Sequence, residues 1–201
     1  MSAWRLDELY TADEGGLIAD LEVTPGDPAT HRRIERLERV VAERPGVWQN
    51  RVALAQALVQ DGQFPRASQQ LRDSLELAAD PHVLSALFFN LGVCEENQER
   101  WDQAAAAYEQ CAFLMPNLYW AHHGMGVALH RLGNHAAAMV ALRQALALDP
   151  EMEEGHRAIA ELYIDAGLLH EAETECRWLL ELDPDDIWPA RTLAELRRQL
   201  N

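Results

Sequence analysis

The stretch Tyr119 to His130, YWAHHGMGVALH, sets three histidines and a tryptophan on a short apolar background. Imidazole is both a common metal ligand and a general acid or base near neutral pH. A zinc site needs three or four ligands converging on one point. Adjacent His122 and His123 diverge by about 100° on a helix, and His123 and His130 stand about 10 Å apart along it. No further His or carboxylate falls at a spacing that completes a tetrahedron. Cys94, Cys111 and Cys176 are an odd number at no metal-like spacing, so buried reduced thiols are expected. The acidic run from Glu171 to Asp186 reads as the solvated face of a helix. Neither a Gly-rich phosphate loop nor a nucleophile elbow is found. No catalytic residue, metal or cofactor is expected, and the chain does not read as an enzyme.

The elements that carry these residues recur. Pro116, Pro150 and Pro184 are spaced by 34, as are Ala104, Ala138 and Ala172, and Leu91, Met125 and Ile159. Gly92, Gly126 and Ala160 keep the same step. Each unit is a helical hairpin: Gly133 and Gly167 stop the first helix, and proline ends the second by ring clash and a missing N–H. Small residues mark where the two helices approach closely, Gly126 against Ala138 in the third unit. The second unit reads Phe88, Leu91, Gly92, Ala104, Tyr108, Pro116; the third His122, Met125, Gly126, Leu129, Ala138, Leu142, Pro150; the fourth His156, Ile159, Ala160, Tyr163, Ala172, Cys176, Pro184. This pattern resembles the tetratricopeptide repeat. The resemblance implies an all-α, right-handed solenoid of stacked antiparallel hairpins, with first helices lining a concave wall.

An earlier unit appears by matching Gly62 to Gly133, Ala67 to Ala138 and Leu71 to Leu142, with a tail two residues longer. Four hairpins are thus expected over 48–84, 85–118, 119–152 and 153–186. Residues 187–201 read as a capping helix with Leu193 and Leu196 inward, and residues 27–47 as a cap at the other end with Ile34, Leu37 and Val41 on one side. Residues 1–26 fall outside the repeat. Six acids against one Arg, with Gly15 and Gly16, predict an arm that is poorly ordered or docked on the protein or a partner.

On the third unit's first helix, His122, Met125, Gly126 and Leu129 share the packing face, and Trp120, His123, Val127 and His130 share another. Carried across the units, that second face collects Val52 and Gln56, then Phe89, Val93 and Glu96 with Asn90 and Asn97 beside them, then Arg157 and Glu161, then Arg191. This wall suits a peptide or helix with an apolar anchor and an acidic end. Phe89, Val93, Trp120 and Val127 would supply apolar area; Asn90, Asn97, His123 and His130 would bond the ligand backbone; and Arg131, Arg157 and Arg191 would meet carboxylates.

The composition narrows the partners. Thirty-three acids against 17 bases give a formal charge of −16, and every base is Arg. A surface of that sign repels phosphate backbones and anionic lipid, so neither nucleic acid nor membrane is expected as a partner. A salt-rich cytoplasm and a GC-rich genome would each yield a Lys-free acidic chain. With no basic leader or membrane-length apolar run, a cytoplasmic location is expected. The predicted function is a non-catalytic adaptor that binds a protein or peptide in its groove. The alternative is a self-assembling homo-oligomer, joined through Trp48, Trp101, Trp178 or Trp188, or with the arm or a neighbouring subunit filling the groove.

Overall fold

A computed structural model describes residues 22–200, with side chains through Arg198. Ten helices run through the described residues: α1 (Pro28–Glu43), α2 (Trp48–Gln60), α3 (Phe64–Leu75), α4 (Pro81–Glu96), α5 (Trp101–Leu114), α6 (Tyr119–Arg131), α7 (His135–Leu148), α8 (Glu153–Asp165), α9 (Leu169–Leu182) and α10 (Ile187–Leu200). They stack as four antiparallel hairpins, α2/α3 through α8/α9, between the caps α1 and α10. Each helix packs on the next, and α4 also touches α6, as α6 touches α8. The first helices α4, α6 and α8 therefore form a continuous wall. Of the consecutive pairs, α7 and α8 make the sparsest contact.

Local chemistry sets the boundaries. Asp27 and Asp80 cap α1 and α4, Oδ2 of Asp27 accepting from Thr30 N at 2.9 Å and Oδ1 of Asp80 from His82 N at 2.8 Å, each just before a proline at the first helical position. Between the helices of a hairpin the chain must enter the left-handed region to turn back. Gly62, Gly133 and Gly167 do so at φ 75°, 77° and 72°, whereas the second hairpin uses Glu99 at φ 56°.

The first two units are joined differently from the others. Pro81 opens α4, so the boundary expected between residues 84 and 85 falls inside a helix. Ala67 and Ala104 are 37 residues apart, three more than the repeat step rather than the two expected. The extra length enters at the start of α4: the Asp80–Pro81 pair opens it ahead of phase, which more than offsets the early end of α3 at Leu75.

Packing follows the small-residue columns. Ala67, Ala104, Ala138 and Ala172 have no exposed surface. A side chain at Gly126 would lie 2.6 Å from Leu142 Cγ, so the close approach expected against Ala138 is completed by Leu142. Fully buried leucines such as Leu58, Leu71, Leu87 and Leu142 contribute about 1.5–3 kcal/mol each. His122 and His156 make one repeated contact, Nε2–H donating to the carbonyls of Pro116 at 2.9 Å and Pro150 at 3.0 Å. Histidine thereby ties the start of a first helix to the proline turn before it.

Of the expected arm, residues 1–21 lie outside the described residues. Its end is tied to α2: Thr24 N donates to Gln60 O at 2.7 Å, and Gly26 N to Asp61 Oδ1 at 2.9 Å. In α10, Leu193 and Leu196 are buried at 7% and 2% exposure, and Arg191, Arg197 and Arg198 are exposed.

Candidate ligand-binding groove

The wall of first helices opens into a cavity of about 240 Å³ between α4 and α6. It is lined by Phe89, Val93, Glu96 and Asn97 from α4 and its end, by Trp120, His123, Gly124 and Val127 from α6, and by Tyr108 from α5. Tyr108 forms the floor. Its ring is clasped between two glycines: a side chain at Gly92 or at Gly124 would lie 2.6 Å from Tyr108 carbons. Phe89 tilts onto the same ring, centroids 5.6 Å apart, and Trp120 meets His123 edge-on at 5.7 Å.

The polar groups of the cavity are arranged by burial. Tyr108 Oη donates to Glu96 Oε2 at 2.8 Å. Burial pushes the Glu96 carboxyl above the usual range, outweighing the Tyr108 hydrogen bond and the field of Arg131. Burial likewise lowers His123, against the opposing pull of the Glu154 carbonyl. The neutral ring donates Nε2–H to that carbonyl at 3.3 Å, which leaves Nδ1 an acceptor. Asn97 Nδ2 is spent on Val93 O at 2.8 Å, leaving its Oδ1 to accept.

Of the residues predicted from sequence, the structure brings Phe89, Val93, Asn97, Trp120, His123 and Val127 around this one cavity. Others lie elsewhere. Val52 and Asn90 are interior, at 2% and 1% exposure: the face carried from α6 meets a neighbouring helix at Val52, and Asn90 stands one residue off that face. Gln56 and Glu161 are half-buried and do not line the cavity. His130 Nε2 is 2.7 Å from Asp165 Oδ2, across to α8.

The arginines expected to meet ligand carboxylates have other occupations. Arg157 Nη2 donates to Asp186 Oδ2 at 2.6 Å and its guanidinium lies 4.8 Å over Trp188. Arg191 is 3.5 Å from Glu195, and Arg131 lies 5.6 Å over Trp101. Charge that would recognise an acidic ligand is neutralised within the chain or stacked on tryptophan. Sequence reasoning placed Tyr108 in a packing column and overlooked Gly124. The signal for Gly124 was its position: 34 residues either side stand Asn90 and Ala158, so a glycine there is not required by the repeat column.

The thiols sit apart from the groove. Burial pushes Cys94 and Cys111 up to about 12 and Cys176 to about 11, which makes them poor nucleophiles. Among the described residues, no group of three or more His, Cys, Asp or Glu is placed to hold a metal ion. No described helix is long and apolar enough to cross a membrane.

Residues 52–113 and 129–196 match two family models, each described as tetratricopeptide repeat. The chain belongs to the tetratricopeptide repeat family. Among curated relatives, it is 27% identical over 131 residues to the tetratricopeptide repeat-containing protein trd-1 of Caenorhabditis elegans, covering 65% of this chain and 17% of that protein. It is 32% identical over 85 residues to the photosystem I assembly protein Ycf3 of Acaryochloris marina, covering 42% of this chain and 51% of that one. The chain thus spans about half the length of one and about a sixth of the other.

Solved tetratricopeptide structures share the solenoid. MamA from Desulfovibrio magneticus superposes with a TM-score of 0.72 at 16% identity, covering 80% of this chain and 89% of that one. A MamA AMB-1 structure gives 0.69 at 26% identity, covering 79% and 92%. YrrB, described as a tetratricopeptide protein with an unusual peptide-binding site, gives 0.71 at 14% identity, covering 81% and 82%.

Proposed function

We propose that this chain is a non-catalytic protein-interaction adaptor that holds a peptide or helix of a partner protein against the wall of first helices. The observation that carries the reading is the cavity between α4 and α6, where Trp120, Val93 and Val127 stand half-buried beside Phe89. Phe89 is buried in the core and the other three pack at the edge of it with part of their surface left in the groove, where large apolar residues serve as anchors. YrrB, of the same fold, is described as having a peptide-binding site. A formal charge of −16 favours a protein ligand over nucleic acid or anionic membrane, and a cytoplasmic setting accords with three free, buried cysteines.

The homo-oligomer is the weaker reading. Trp101 lies under Arg131, Trp178 stacks on His156 at 3.7 Å, Trp188 lies under Arg157, and Trp48 packs against the first core cluster. The four tryptophans that would join two copies are engaged within one chain. The groove reading is tested by selecting peptides from a displayed library on the full chain, then measuring each against Trp120→Ala. Loss of the indole should weaken binding by about 2 kcal/mol or more, roughly 30-fold. If every selected peptide binds the variant equally well, the groove is not the binding surface.

A further inference from the structure

The cavity has a chemical bias that the apolar anchor alone does not explain. Its leftover polar atoms are mostly acceptors: the Glu96 carboxylate, Asn97 Oδ1 and His123 Nδ1. The donors beside them are the Trp120 indole N–H, the second N–H of Asn97 Nδ2 and the Tyr108 hydroxyl, and the last is already given to Glu96. Trp120, Phe89 and Tyr108 add three aromatic rings around the same space. A carboxylate and neutral acceptors, beside the half-buried Trp120 ring, complement a group that only donates and carries positive charge.

The surroundings reinforce the sign. No Arg forms an ion pair with Glu96 among the described residues; the field of Arg131 reaches it, but that guanidinium lies over Trp101. The whole chain carries −16, which draws cations toward it. The cavity, at about 240 Å³, is smaller than the roughly 300–1,000 Å³ of sites for drug-sized ligands, and suits one long side chain.

Building on the groove reading above, we infer that the cavity between α4 and α6 receives a lysine or arginine side chain of the partner segment. Its alkyl stem lies among Val93, Val127 and Phe89, and its charged head meets Glu96 beside the Trp120 ring. The ligand is therefore basic at its anchor. This replaces the acidic end that the arginines predicted from sequence would have served.

The test titrates the isotope-labelled full chain with four small probes at physiological ionic strength: n-butylguanidinium, n-butylammonium, n-butanol and butyrate. NMR signals of the Trp120 indole and of His123 are the readout. Both cations should shift them saturably, at least one with a Kd tenfold or more below that of n-butanol, and butyrate should leave them unmoved. Glu96→Gln keeps an acceptor for Tyr108, so the fold persists, as a melting curve checks; in it the cations should fall to the level of n-butanol. The preference between the two cations tells lysine from arginine. If n-butanol matches the cations in the wild type, or Glu96→Gln leaves the cations unchanged, the charged anchor is overturned. Trp120-dependent peptide binding would then still stand, on an apolar anchor. A cavity that responds to none of the four overturns the side-chain inference as well, while the displayed peptides decide the groove separately.

Discussion

Glu95 and Glu96 are neighbours on α4 and meet opposite fates. Glu95 has no exposed surface, and its carboxylate is held by Arg72 at 2.8 Å and Arg100 at 3.4 Å, from α3 and from the turn before α5. Glu96 turns toward the groove, where its hydrogen-bond partner is one tyrosine hydroxyl. Two acids, one peptide bond apart, thus separate a closed structural site from an open one. The lesson concerns what is left over. A buried charge with two guanidiniums holds three elements together and has nothing to offer a ligand. A half-buried acid with one neutral donor keeps its charge available to a cation from outside.

The largest effect expected on this contrast comes from stripping Glu95 of its partners. Arg72→Leu with Arg100→Leu leaves a buried carboxylate uncompensated, at a cost of about 3 kcal/mol, the low end for a broken buried pair because the guanidiniums are 40% and 45% exposed. Urea unfolding measures it, and a loss under about 1 kcal/mol would show that water reaches Glu95. Next comes Gly124→Ala, which drives a methyl to 2.6 Å from Tyr108 Cζ. Overpacking of this kind costs about 2 kcal/mol and should displace the floor of the cavity, seen in the same unfolding experiment and in the Tyr108 ring signals. A neutral result would mean that Tyr108 has room to retreat.

The smallest effect sharpens the contrast most. Because burial raises the folded-state pKa of Glu96, its contribution to stability is present in full below 4.5, the ordinary value, and is lost as pH rises through the folded value. Glu96→Gln should therefore make the ligand-free chain more stable than wild type at neutral pH, with the gap closing as pH falls toward 4.5. A gap that widens on acidification would mean that Glu96 is already a satisfied carboxylate. A substitution that stabilises the chain while removing its cation would mark a functional acid.

Much of the fold was legible because a solenoid repeats its packing: columns of alanine, glycine and proline at a 34-residue step report helices, turns and close approaches together. The break in phase before α4 was harder to read, since proline both closes a second helix and opens a first one. Helical-face arithmetic on Trp120, His123 and Val127 also worked, because three residues on one face of α6 share a neighbour in α4. It failed for Val52, where the angular position of His123 meets another helix instead of solvent, while Asn90, one residue off that face, is buried like its counterpart Gly124. The arginines misled for a different reason. Arg157 finds Asp186 and Trp188 about one repeat further along, and no periodic pattern reveals which charges cancel across units.

The sparse contact between α7 and α8 divides the solenoid. Stacked repeats exchange stability only with their neighbours, so a weak junction becomes the place where opening stops or starts. The cavity, from Phe89 to Val127, lies wholly on the amino-terminal side of that seam. The links across it include His130 with Asp165 at 2.7 Å and His123 with Glu154 O at 3.3 Å. In hydrogen exchange α8 to α10 should open before the amino-terminal side, releasing the His123 ring from Glu154 O while α4 to α6 stay packed.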